Sequence, residues 1–201
     1  MEILYILDLV GTFVFAISGT LTAADKRLDL MGATVIGFVT AIGGGTVRDL
    51  LLGIHPVGWM QDVNYLWVIL AGVVCTVLFK GNVLKLKRTL SLFDTIGIGV
   101  FTVLGLSKAL MAGVEPVFAV MMGTISAVFG GVIRDTLCND IPIIFRPTEL
   151  YATVCLSGGC VFLGLEYLGL NLPLNYTITI LFIITLRIVS IKFDFKLPAL
   201  K

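Results

Sequence analysis

The stretch TAIGGGTVRDLLLG, Thr40 to Gly53, lies inside a long apolar run and sets three consecutive glycines, Gly43, Gly44 and Gly45, beside an Arg48-Asp49 pair. Glycine weakens a helix interior by about 1 kcal/mol relative to alanine. Charged side chains within hydrocarbon are costly and face a bundle interior or a water-filled cavity. The medium around the stretch follows from composition. The chain has 201 residues, 58% of them hydrophobic and 13% charged, with mean hydropathy +1.06. Soluble domains carry roughly 25% charged residues, so this is an all-α, polytopic membrane protein with a single transmembrane domain over residues 1–201. The formal net charge of +1 offers nothing to nucleic acid.

A membrane span needs about 20 mostly apolar residues. Seven segments qualify: 3–22, 31–52, 63–79, 91–111, 116–138, 149–168 and 174–191. The first carries Asp8 in its apolar run and lacks a basic leading segment, so it reads as a span rather than a cleaved signal. Basic residues then orient the bundle. Lys26, Arg27, Lys80, Lys85, Lys87, Arg88, Arg146, Lys192, Lys196 and Lys201 fall on one side, and Lys108 alone falls on the other. The expected topology has the N-terminus outside and the C-terminus cytoplasmic.

Sliding the chain by 86 residues places Asp8 on Asp94, Gly11 on Gly97, Phe15 on Phe101 and Gly19 on Gly105. Further along, Ala41, Gly44, Gly45, Arg48 and Asp49 meet Ala127, Gly130, Gly131, Arg134 and Asp135, and Pro56 and Tyr65 meet Pro142 and Tyr151. Shared apolar composition cannot place Asp, Arg-Asp, Pro and Tyr in one register. Repeat one covers 3–80, repeat two covers 90–168, and a seventh helix at 174–192 stands outside both. Each repeat has three spans, an odd number, so the second is inserted upside down relative to the first, the inverted plan of many transport proteins.

Small residues four apart, Gly37-Ala41-Gly45 and Gly123-Ala127-Gly131, allow close helix packing. Three adjacent glycines suggest more: a broken or kinked helix whose freed carbonyls line a polar path. Gly44 lies eight residues from the end of its span, about 12 Å, near the middle of a ~30 Å core. Arg48 and Asp49, as neighbours, point to different helix faces and are poorly placed to pair. Depth instead matches Asp8 with Arg48 on the outer side and Asp94 with Arg134 on the inner side. The expected ion path is therefore Gly43, Gly44, Gly45, Arg48, Asp49, Gly130, Gly131, Arg134 and Asp135, with Asp8 and Asp94 as the paired carboxylates.

Other features are bland. Cys75, Cys138, Cys155 and Cys160 show no metal or redox spacing and read as small buried hydrophobes. His55 reads as a surface loop residue, and Glu166 as snorkelling from a span end. No Gly-Lys-Ser/Thr follows either glycine run, so neither is a nucleotide loop. No nucleophile–base pair, metal cluster or cofactor motif supports an enzyme, and no potassium-filter string is present.

Two inverted three-span repeats carrying GGGTVRD (43–49) and GGVIRD (130–135) make the chain resemble prokaryotic members of the trimeric intracellular cation channel family, sequences also grouped under a glycine transporter label. The resemblance covers essentially the whole chain. It implies a homotrimer with a separate pore in each subunit, conducting potassium and sodium, with helices two and five as glycine-kinked pore helices. Arg48 and Arg134 would be the pore-associated basic residues, and membrane lipids the surrounding partners. The Lys-Glu-Val-Gly-Asp-Gly string and long basic tail of the animal relatives are missing. The implied location is a prokaryotic plasma membrane.

The leading function is a passive cation channel; the alternative is a secondary transporter of a small amino acid such as glycine, because inverted repeats serve both. The topology is checked by labelling. A cysteine placed in the 80–90 loop is expected to resist an impermeant reagent added outside and to react only after permeabilisation.

Overall fold

A computed structural model describes residues 2–79, 86–146 and 150–196. Seven α-helices follow in order: α1 Glu2–Asp25, α2 Leu30–Leu51, α3 Asn64–Phe79, α4 Leu86–Met111, α5 Pro116–Leu137, α6 Ala152–Tyr167 and α7 Leu172–Lys192. Short 3₁₀ turns, Gly58–Met60 and Ile143–Phe145, precede α3 and α6. Five helices are long and apolar enough to cross a membrane, and α3 and α6 have 16 residues each. Lys80, Lys85 and Lys201, and Glu149 at the start of the sixth expected span, lie outside the described residues.

Local chemistry explains the boundaries. Asp29 caps α2 by accepting from Gly32 N at 2.7 Å, and Asn171 caps α7 by accepting from Leu174 N at 3.0 Å, which satisfies amides that have no partner inside the helix. Buried threonines bond back to the carbonyl four residues earlier: Thr20 to Ala16 O at 2.8 Å, Thr40 to Ile36 O at 2.6 Å and Thr102 to Ile98 O at 2.6 Å. Their hydroxyls are thereby satisfied without water, as an apolar medium requires.

The two repeats clasp each other at two crossings. Where α1 meets α4, Phe15 stacks on Phe101 with ring centroids 5.1 Å apart and planes at 20°. Gly11 makes room for Phe101, and Gly97 makes room for Phe15. Where α2 meets α5, a Cβ on Gly44 would overlap the Ser126 carbonyl oxygen, and one on Gly130 would overlap the Thr40 carbonyl oxygen. Thr40/Ser126 and Gly44/Gly130 are register mates, so each crossing maps onto itself when the repeats are exchanged. Both crossings sit on the pseudo-two-fold axis.

This changes the expected role of the glycines. The second and fifth helices are not broken: both are helical throughout, across Gly43–Gly45 and across Gly130–Gly131. The missing side chains let two backbones touch, and close van der Waals approach is a main source of helix association in lipid. The propensity loss of about 1 kcal/mol per glycine is too small to open a helix held on both sides.

The seventh helix breaks the symmetry. α3 lies directly on α1, with Gly72 facing Ala16, whereas the corresponding Gly158 of α6 faces Ile183 of α7. Gly99 of α4, whose register mate in α1 is the bulky Phe13, faces Ile180 and Ile184 of α7. A glycine in place of phenylalanine thus opens the seat that α7 fills.

Substitution at the crossing separates these roles. Gly44→Ala is expected to lower stability by about 1–3 kcal/mol, the usual cost of overpacking. Gly45→Ala should be near neutral, because the nearest atom to its Cβ would be Arg48 Nη2 at 3.6 Å. Thermal unfolding in detergent compares them, and equal midpoints would refute the crossing.

Candidate functional site: two charged cavities flanking the glycine crossing

The Arg-Asp pairs end α2 and α5 at opposite ends of the bundle, and all four side chains are buried. On the second repeat, Arg134 is fully enclosed. Its Nη1 lies 2.8 Å from Asp94 Oδ1 on α4 and donates to Ser18 Oγ on α1 at 2.8 Å, while Nε lies 2.8 Å from Asp135 Oδ1. Asp135 Oδ2 accepts from Ile143 N, the first amide of the 3₁₀ turn, at 3.0 Å. One guanidinium thus ties α1, α4 and α5 together, and its aspartate neighbour holds the following loop.

The first repeat makes the same local motif. Arg48 reaches Asp49 Oδ1 through Nε at 2.8 Å and Nη2 at 2.7 Å, and Asp49 Oδ2 accepts from Gly58 N at 2.8 Å. Adjacent Arg and Asp therefore do pair in both repeats, against the expectation from helix faces. The arginine stem is long enough to curl back to the next residue. The aspartate is fixed in place because its second oxygen is committed to the 3₁₀ turn.

Beyond that motif the repeats diverge. Asp94 holds Arg134 as depth matching suggests, but Asp8 does not take Arg48 as its ion-pair partner. Asp8 Oδ2 lies 2.8 Å from Lys108 Nζ. The register mate of Lys108 is Thr22, so the first repeat's carboxylate faces an ammonium at a position where the second repeat's has a hydroxyl. The Lys108 side chain is 27% exposed and neutralises Asp8 while staying partly hydrated. Arg48 keeps Asp49 and a long 3.5 Å contact to Ser126 Oγ.

Each arginine opens onto a cavity. The one beside Arg48, which the expected topology makes the outer one, is about 20 Å³ and is lined by Asp8, Thr12, Gly45, Arg48, Trp59 and Tyr65. Asp8 and Arg48 thus share a cavity without forming the expected pair. The inner one, about 420 Å³, includes Thr22, Asp94, Arg134, Asp135, Arg146 and Arg187 in its wall. At the inner cavity, Lys26 Nζ lies 2.7 Å from Asp140 Oδ1, and that bond holds the ammonium above its ordinary range. Gly43, Gly44 and Gly130 lie at the crossing, whereas Gly45 and Gly131 face the guanidinium of the arginine three residues on.

Some residues of the site escape sequence reasoning. Lys108 enters it only as the lone basic residue on its side, a signal of a buried partner rather than of topology. Arg187 on α7 is buried, donates to Leu150 O at 3.1 Å and lies 5.0 Å from the Tyr151 ring centroid; an ionisable residue mid-span was its signal. Ser18 and Ser126 carried none. His55 and Glu166 are exposed. Cys138 and Cys155 are buried, but Cys160 faces outward. Among the described residues no three His, Cys, Asp or Glu side chains converge as a metal site.

The two carboxylates should differ in weight. Asp94→Asn removes half of a buried pair and is expected to cost about 3 kcal/mol, the low end for such losses because Asp135 remains. Asp8→Asn exposes a lysine that can rehydrate and should cost under about 1 kcal/mol. Unfolding midpoints of the two variants decide it, and a larger loss for Asp8→Asn would contradict the asymmetry.

Comparison with known proteins fits this architecture. The family model described as "Glycine transporter" matches twice, over residues 5–81 and 91–167, the same 86-residue offset at both ends. The UPF0126 inner membrane protein YadS of Escherichia coli K12 is 42% identical over 199 residues, covering 98% of this chain and 95% of that protein. The UPF0126 membrane protein YvgT of Bacillus subtilis is 31% identical, covering 96% and 94%. Among solved structures, the TRIC trimeric intracellular cation channel orthologue from Rhodobacter sphaeroides superposes with a TM-score of 0.91 at 33% identity, covering 97% of this chain and 100% of that one. A further TRIC cation channel gives 0.86 at 34% identity, covering 98% and 96%. With its two inverted repeats matched in register and its whole length superposed, this chain belongs to the glycine transporter family of multi-pass membrane proteins and has the fold of the prokaryotic TRIC channels.

Proposed function

We propose that the protein is a cation channel that assembles as a homotrimer, with a separate path for potassium and sodium in each subunit. The path runs from the outer cavity to the inner one past the α2–α5 crossing. It is formed by Gly43, Gly44, Gly45, Arg48, Asp49, Gly130, Gly131, Arg134 and Asp135, with Asp8 and Asp94 at its ends. The observation that carries this reading is the pair of charged cavities, each built on the same buried Arg-Asp motif at one end of the glycine crossing. Full-length likeness to chains described as cation channels supports it.

The electrostatics suit cations. A bare guanidinium repels them, but Arg48 and Arg134 each lie against a carboxylate within 2.8 Å, and fork-shaped contacts of this kind hold the charge in place. The sequence carries no potassium-filter string, so discrimination between potassium and sodium should be modest. In the present conformation Arg48 reaches to Ser126 and Arg134 to Ser18, each contacting the other repeat. Conduction requires these side chains to swing aside. The basic-residue asymmetry supports an orientation with the 420 Å³ cavity on the cytoplasmic side of a prokaryotic plasma membrane and the N-terminus outside.

Purified protein in liposomes tests the reading against transport of glycine, the activity that the family label names. A channel gives potassium flux that grows with the gradient and outruns any substrate turnover. Saturable glycine uptake with counterflow, and no potassium flux, would overturn it.

A further inference from the structure

The outer cavity is some twenty-fold smaller than its inner counterpart, although both are built on the same motif, Asp8, Arg48 and Asp49 in one and their register mates Asp94, Arg134 and Asp135 in the other. The inner wall also takes in the end of α1, the start of α4 and Arg187 of α7, and the loops that follow α2 and α5 differ as well. The outer loop, residues 52–63, is fastened at three points. Gly58 N donates to Asp49 Oδ2 at 2.8 Å. Trp59 Nε1 donates to Thr46 Oγ1 at 3.1 Å, and its ring meets Phe38 edge-on at 5.4 Å. Beyond them, Tyr5 OH at the start of α1 donates to Asp62 Oδ2 at 2.5 Å, and Asn64 Nδ2 donates to the Tyr5 oxygen at 2.9 Å.

Among the described residues the inner loop shares the first fastening, Ile143 N to Asp135, and is tied to the end of α1 by Lys26 Nζ at 2.7 Å from Asp140 Oδ1 in place of an indole or phenol. Phe145, the register mate of Trp59, is 69% exposed. The mate of Thr46 is Val132, which has no hydroxyl to offer an indole. The mates of Tyr5 and Asp62 are Ser91 and Thr148, which cannot form a phenol–carboxylate bond. Inverted repeats can hold one unit in two poses, and the inner loop is the pose that lacks the indole and phenol fastenings.

We infer that residues 52–63 form a lid over the outer cavity, held shut by Trp59 on Thr46 and by the Tyr5–Asp62 latch, and that its release controls access to Asp8, Thr12 and Arg48. Rigid closure of a charged cavity by a short loop is a common gating device. The hydrogen bond from Tyr5, with the amide of Asn64, holds the Asp62 carboxyl below the usual carboxylate range, consistent with a latch that is engaged at neutral pH. The consequence for conduction rests on the channel reading above; the lid itself does not.

The latch allows a clean test, because neither Tyr5 nor Asp62 lines the cavity. An effect of changing them on cavity access has to act through the loop. In a background with the four native cysteines replaced by alanine, Thr12→Cys reports access to the outer cavity and Thr22→Cys access to the inner one. Detergent-solubilised protein is treated with a small methanethiosulfonate. Tyr5→Phe and Asp62→Asn are each expected to speed modification at position 12 at least three-fold and leave position 22 unchanged. Equal rates at position 12 overturn the lid, as does equal acceleration at both positions, which would signal general loosening. In liposomes the same variants should raise potassium flux. Faster modification at position 12 with no flux in any variant upholds the lid and removes the channel reading.

Discussion

A guanidinium removed from water without a counter-charge destabilises a fold by several kcal/mol, and among the described residues this chain buries three of them. Much of the internal geometry answers that cost. Asp49 and Asp135 follow their arginines directly in sequence, so part of the compensation is local and forms with the helix end itself. The remaining donors are met from a distance, by Asp94 and Ser18 for Arg134. Because the aspartates also grip the 3₁₀ turns, the same contacts that neutralise charge fix the loops which cover the cavities.

The glycines answer a second constraint. In lipid, helices gain little from hiding apolar surface, so association depends on how closely backbones approach. Gly44 and Gly130 put α2 and α5 in backbone contact at the pseudo-two-fold axis, and Phe15 with Phe101 fills the neighbouring crossing. A thin crossing with charged cavities at both ends suits the proposed ion path, which needs a short barrier rather than a long apolar plug.

Symmetry is then broken in specific places. Lys108 stands where the other repeat has Thr22 and draws Asp8 away from Arg48. Gly99 stands where the other repeat has Phe13 and admits α7, which brings Arg187 to the inner cavity. Trp59 finds a hydroxyl at Thr46 that Phe145 does not find at Val132. Small departures from the repeat give the two ends different charge sets and different covers, and a polarity that the inverted plan alone lacks.

The sequence by itself determined the medium, the seven helices, the inverted repeat and the positions of the charged motifs. These follow from composition, span length and an 86-residue register, all of which are one-dimensional. It also picked out Asp94 as the partner of Arg134, since depth along two helices is readable from residue counts. Tertiary structure decided what depth cannot: which side chain at a given level is nearest. Asp8 met Lys108 instead of Arg48 because a partner on a neighbouring helix lay within reach, and Arg48 curled to Asp49 because the loop had already fixed that carboxylate. The glycine run stayed helical for the same reason. Its weakness is a property of an isolated helix, and packing against a second backbone outweighs it.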